Sequence, residues 1–425
     1  MRRAVRSIGS EAERRDAVLK KMVFNIGGVS CVLASIMLLS SLSTLLLGNK
    51  LDPTDFGRFG LMRTLILFIP PLAIWGQDIA TARFFSQNEV ARYRWDSAFI
   101  RILAVSAVLI VPGLLIARRF YDLNGPQLFA LFPAAIFYCG GLLFSNLLRS
   151  QGRYIPAILI LSGFRGLFFF VLLGVVVLGS LTLSSAILSY IGVVIVVSSF
   201  GGWFVRRRVK CGSEPVPREM HTVGLILMGI EISVVIMGSL DALLIPKFLG
   251  YEALALYMAA LVPGQVFRIL NRAAKYVWVP EFGRGGEIRF KSINAGVAAV
   301  ALLLLLALVL AARPILDLLY SGRYNEGTPL LRLFACVGFI RLFYALNSSL
   351  IVGRMSSKAL KVHFAFSAGF MAVYGVMLVL LLSQFGVLGA ALALLAVSVL
   401  RLASSYWILF HFSGVTSHAA SLPVK

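Results

Sequence analysis

The chain has 425 residues, 59% of them hydrophobic and only 14% charged, with a mean hydropathy of +0.90, which excludes an ordinary soluble globular protein. The formal net charge of +22 would suggest nucleic acid in a soluble chain, but here the surplus lies in short loops between apolar stretches and no nucleic-acid motif is present. Cys31, Cys139, Cys211 and Cys336 form no C-x-x-C pair, so they support neither a disulfide framework nor a zinc site.

About 20 apolar residues at ~1.5 Å rise cross the ~30 Å hydrocarbon core. By that rule twelve spans follow, at 22–48, 58–80, 96–117, 127–148, 155–179, 184–204, 223–245, 253–271, 293–312, 329–352, 364–383 and 386–410. The first apolar run, Met22 to Gly48, is too long for a signal-peptide core and reads as a retained helix. Span two carries Pro70-Pro71 midway, where two missing backbone donors should kink or break it; Pro112, Pro133 and Pro263 mark other such points. The longest internal loop follows span six. It contains Arg206, Arg207, Arg208 and Lys210, then Pro215 and Pro217, and reads as a charged tether.

The fold expected is an all-α polytopic membrane protein. It has a basic N-terminus (1–21), a first six-helix lobe (22–204), a linker (205–222), a second six-helix lobe (223–410) and a tail (411–425). With the N-terminus inside, the inside segments carry 26 Lys and Arg against 6 outside, so both termini are expected in the cytoplasm. The stretches Leu51 to Phe59 and Leu249 to Tyr257 each follow the first span of their half and are weakly alike, which implies a parallel repeat with a substrate site between the halves.

Charged residues inside spans carry the functional signal, because each costs a few kcal/mol without a partner or a role. Arg101, Arg268, Arg332 and Asp78 lie close enough to span ends to reach water. Arg165, Arg341, Arg401 and Glu231 lie about 12 Å deep and must face protein or a cavity. Structural ion pairing is the plain alternative, but the deep cations outnumber the deep carboxylates. Arg63 also lies within span two, and Asp241 joins Glu231 in span seven as a candidate for ion coupling. Arg341, Tyr344 and Ser348 share one helix face, as do Ser398, Arg401 and Ser405. No catalytic constellation or Walker sequence is present, and His221, His363, His411 and His418 lack ligand spacing, so no cofactor is expected.

Several motifs resemble polysaccharide-type flippases of the multidrug/oligosaccharidyl-lipid/polysaccharide exporter superfamily. They are Leu51 to Phe59, Trp75-Gly76-Gln77-Asp78, Leu319-Tyr320-Ser321-Gly322-Arg323-Tyr324, Leu330 to Ala335 and Phe385-Gly386-Val387-Leu388-Gly389-Ala390-Ala391. The resemblance implies a MATE-like pair of six-helix lobes around a central cavity. It implies transfer of an undecaprenyl-diphosphate-linked oligosaccharide across the bacterial inner membrane, for O-antigen or exopolysaccharide synthesis. It sets Arg63, Arg165 and Arg268 in spans where they would hold the diphosphate, with Arg341, Arg401 and Tyr344 as further substrate candidates, the two arginines off the main cavity. The polysaccharide polymerase and chain-length machinery are the implied partners. A proton gradient, a sodium gradient or the membrane potential would supply the energy. Rival readings are a multidrug cation exporter of the same fold, a glycan polymerase or ligase, and a scaffold subunit. A multidrug exporter would want an acidic cavity, and a polymerase would want a larger outside loop.

Overall fold

The computed structural model describes residues 28–88, 90–179, 181–283, 290–354 and 357–412. They are almost entirely helical: α1 (Gly28–Lys50), α2 (Pro53–Ala73), α3 (Gln77–Gln87), α4 (Trp95–Tyr121), α5 (Gly125–Ser150), α6 (Tyr154–Val177) and α7 (Leu183–Arg208) form the first half. The second half holds α8 (Arg218–Leu249), α9 (Tyr251–Gly283), α10 (Phe290–Leu310), α11 (Ala312–Tyr320), α12 (Thr328–Arg354), α13 (Ser357–Phe385) and α14 (Val387–Phe412). Among the described residues nine helices are long and apolar enough to cross a bilayer, and the pair α10–α11, bent by 68°, makes a tenth candidate. The chain is therefore a multi-pass membrane protein. α8 and α9 stand where spans seven and eight are expected.

Sharp turns are built from local chemistry. Asp52 caps α2 by accepting from the Thr54 N–H at 3.2 Å, with Pro53 following. Asn124 with Gln127, and Thr182 with Ser185, form reciprocal capping boxes at α5 and α7. Large apolar side chains left exposed, such as Val108, Phe129, Val177 and Phe410, suit contact with lipid.

Three expectations change. Span two does not break at its prolines: both sit inside α2, and the break follows at Trp75 and Gly76, whose φ angles are 50° and 73°. The left-handed backbone ends the helix there. The stretch after span nine is not a plain loop, because α11 fills much of it; Pro314 lacks an N–H to extend α10, and the chain restarts at an angle. The linker is not a free tether. α7 runs to Arg208, α8 begins at Arg218, and the intervening strap docks on the segment before α4. Arg92 Nε meets Glu214 at 2.7 Å, the Arg94 N–H donates to Glu214 O at 2.7 Å, and the Gly212 N–H donates to Tyr93 O at 2.9 Å. Gly212 has to be a glycine at this contact, since a Cβ there would lie 2.1 Å from Arg92 O.

α5 packs against α2, α3, α4, α6 and α7, while α12 packs against α9, α10 and α14. The halves meet where α2 crosses α8 and α9. At one end of this seam the two repeated stretches touch. Thr54 Oγ1 donates to Glu252 Oε1 at 3.1 Å, the Arg58 guanidinium lies 5.4 Å from the Tyr251 ring centroid, and Gly57 abuts the Tyr251 backbone.

Candidate functional site: a basic cavity between the halves

A cavity of about 1240 Å³ lies between the halves, walled by α1, α2, α5, α6 and α7 on one side and α8, α9, α12 and α14 on the other. One end is closed. Arg323 donates to Leu51 O at 2.7 Å and approaches Asp52 at 3.7 Å, and Asn49 donates to Leu319 O at 2.8 Å. Tyr121 donates to Leu243 O at 2.9 Å, and Tyr251 returns a bond to Tyr121 O at 3.2 Å. Burial pushes the Tyr324 hydroxyl in this seal up to about 12, so it stays neutral across the physiological range. Toward the other end the wall reaches Arg149 and Tyr154, beside the α5–α6 turn on the face that carries most basic loops.

Arg63, Arg165, Arg268 and Arg341 all line the cavity. In the first half Arg63 donates to Thr44 Oγ1 at 3.1 Å and lies within range of the Arg165 charge, and the Tyr190 hydroxyl lies in the field of both guanidiniums. Arg165 Nε and Tyr190 Oη are buried and make no hydrogen bond among the described residues. Donors are thus concentrated where acceptors are scarce, an arrangement suited to an oxyanion. Arg268 differs: it is exposed and donates to Gln265 Oε1 at 3.1 Å, as its place near a span end suggests.

The second half is closer to charge balance. Asp241 is buried at the cavity wall, where it accepts from Tyr257 Oη and, at 2.8 Å, from the Ala242 N–H. Arg341 lies within range of the Asp241 charge and donates to Ser398 Oγ at 3.3 Å. Arg341 is thus on the cavity rather than off it, because its turn of α12 faces the seam. Arg401 and Tyr344 do not line the cavity; they bond each other inside the second half, at 2.8 Å. The two polar stripes predicted on α12 and α14 interlock instead of facing water, as the bond from Asn347 to Ser405 Oγ at 3.0 Å also shows. Glu231 lies on α8, and its side chain is outside the described residues. Asp78 is buried, with Asn146 Nδ2 at 3.5 Å from it, rather than near water. Sequence reasoning missed Tyr138, Tyr190 and Tyr257 on the wall. Their hydroxyls in the middle of apolar helices were the signal.

Residues 11–285 match the profile of a family described as polysaccharide biosynthesis protein. No curated protein matches the chain by sequence. Among solved structures, an inward-facing multidrug resistance MATE family transporter of the MOP superfamily aligns with a TM-score of 0.64 at 14% identity, over 90% of this chain and 96% of that one. A eukaryotic MATE transporter aligns with a TM-score of 0.57 at 12% identity, over 92% and 95%. The lipid II flippase MurJ, in an inward closed conformation, aligns with a TM-score of 0.61 at 9% identity, over 90% and 87%. At these identities the likeness is one of fold, and the fold is MATE-like.

Proposed function

The chain belongs to the polysaccharide biosynthesis protein family, and from that premise we propose that it flips an undecaprenyl-diphosphate-linked oligosaccharide across a bacterial inner membrane by alternating access. The donor cluster of Arg63, Arg165 and Tyr190 carries this reading. A diphosphate would satisfy the idle donors and neutralise two adjacent cations, which otherwise repel each other. The cavity can take the charged head and sugars while the polyprenyl tail stays in lipid. The closed end and the basic rim match a state open to the cytoplasm, where such a substrate is assembled. A multidrug cation exporter fits this wall poorly: among its described lining residues the carboxylate is Asp241, already bonded to Tyr257. In this reading Asp241 and Glu231, both on α8, couple transport to a proton or sodium gradient.

Loss of one charged hydrogen-bonding group costs about 1.5–3 kcal/mol, or roughly ten- to a hundredfold. Arg165→Ala should therefore lower surface-polysaccharide yield in a complemented deletion strain at least about tenfold, and Arg165→Lys should fall between it and wild type. Wild-type yield from Arg63→Ala and Arg165→Ala, at equal membrane abundance, would rule out the cluster.

A further inference from the structure

The polar cluster that lies off the cavity is not used by the diphosphate reading. α12 and α13 both pack along α14 but scarcely meet each other. In the angle between them the Arg401 guanidinium sits 4.4 Å from the Tyr344 ring centroid and donates to Tyr344 Oη at 2.8 Å. The His363 ring of α13 stacks on Tyr344 with centroids 6.1 Å apart. Its Nε2 lies 3.5 Å from Tyr344 Oη and 3.4 Å from Ser348 Oγ. Arg401 makes no ion pair among the described residues, and its Nε is buried without a hydrogen bond. Imidazole is the side chain that exchanges a proton near neutral pH, and ionisable groups within spans are rarely idle.

We propose that His363 is a proton-binding site whose charge state is relayed through Tyr344 and Arg401 to the wall of the cavity. In the neutral ring with its hydrogen on Nδ1, Nε2 accepts from the Tyr344 and Ser348 hydroxyls. A proton taken from water at the basic face lands on Nε2, and the same oxygens then accept from it. The two bond lengths through Tyr344 Oη keep Nε2 within about 6.3 Å of Arg401 Nη2, so a second cation appears beside the first. Among the groups near His363, Tyr344 and Ser348 from α12 lie against the ring, Arg401 from α14 lies against Tyr344, and Lys358 and Lys361 stand on its own helix. Arg401 in turn lies within range of the charge on Arg341, which lines the cavity one turn before Tyr344 on α12. Protonation therefore pushes α13 away from α14 and changes the field at Arg341 and Asp241. What the proton drives rests on the flippase reading, but whether it binds does not.

The test uses the full chain in lipid nanodiscs with ring-labelled histidine, and His221→Gln, His411→Gln and His418→Gln leave His363 as the sole reporter. Nuclear magnetic resonance should show one titration between about pH 5 and 8. Arg401→Gln should tighten proton binding at least about tenfold, and Arg401→Lys, which keeps the charge, should leave it within about twofold. A thiol placed at Ser239→Cys on the cavity wall should change its labelling rate at the same midpoint. That step should vanish in His363→Gln and in Tyr344→Phe, the latter still binding its proton; this arm stands alone if Arg401→Gln fails to fold. No titration in this range, a titration unmoved by Arg401→Gln, or a cavity step that survives Tyr344→Phe would overturn the proposal. Loss of phosphate recognition in the Arg165 variants leaves all of these outcomes untouched, so the two readings fail separately.

Discussion

Replacing Gly57 with alanine should wedge open the closed end of the cavity. An ideal Cβ at Gly57 lies 1.9 Å from Tyr251 O and 2.6 Å from Tyr251 C, whereas ordinary contact begins at 3.4 Å. The obstruction is backbone, in the first turn of α9, and cannot rotate away. α2 and α9 must therefore separate by about 1.5 Å at this point, the shortfall between those two distances. Overpacking of this kind costs about 1–3 kcal/mol. It falls on the closed arrangement alone, so the balance should move toward an opening on that face by roughly 5- to 150-fold. The assay is labelling of Thr64→Cys on the cavity wall by an impermeant thiol reagent added from the Gly57 face, with the four native cysteines replaced. Gly174→Ala is the control, because its Cβ would meet nothing within 4 Å. Labelling that stays at the background rate in a folded, normally abundant Gly57→Ala protein would refute the idea that this contact holds the end closed.

The same seam gives a converse prediction. Thr54→Cys and Glu252→Cys joined by a short bifunctional reagent should halt glycan export, and reduction of the bridge should restore it; full export by fully bridged protein would contradict alternating access. The strap before α8 gives a pH prediction. Partial desolvation beneath the strap, then the bond from the otherwise exposed thiol to Asp96 Oδ1 at 3.1 Å, holds the Cys211 thiol above its usual value. Less thiolate is present at neutral pH, so alkylation of Cys211 should be slower than that of a free cysteine and should keep rising with pH beyond the free thiol's plateau. Asp96→Asn should bring the rate closer to that of a free thiol, as measured by maleimide labelling across pH 6 to 10 (about the range in which thiols titrate).

Reading the chain by apolar length located α4, α5, α6, α7 and α14 well, because each is a run near 20 apolar residues between polar turns. The same rule placed the start of α13 at residue 364 rather than Ser357, since composition marks where lipid ends and not where hydrogen bonding ends. Interruptions fared worse. The break near Trp75 depends on two left-handed residues, and adjacent prolines were the louder but misleading signal. Depth along a span told which arginines must be buried, as for Arg165 and Arg341. It could not tell Arg341, on the cavity, from Arg401, packed away from it. In lipid both faces of a helix are apolar, so no amphipathic stripe fixes its rotation. That information lies in the partner helix, as when Ser398 receives Arg341.

α8 belongs to the second half in sequence, yet its beginning is fastened to the first. Gln77 Nε2 donates to His221 O at 3.2 Å, a Cβ on Gly76 would lie 2.3 Å from Gly224 O, and the strap ahead of it is pinned to Arg92 and Tyr93. Farther along, Asp241 is tied to Tyr257, and α8 packs on α13. A rod clamped at both ends to bodies that swing against each other has to twist or flex between its clamps. α8 would then act as a torsion spring, wound in one orientation of the halves and slack in the other. Its elasticity would set how fast the protein returns after releasing its load.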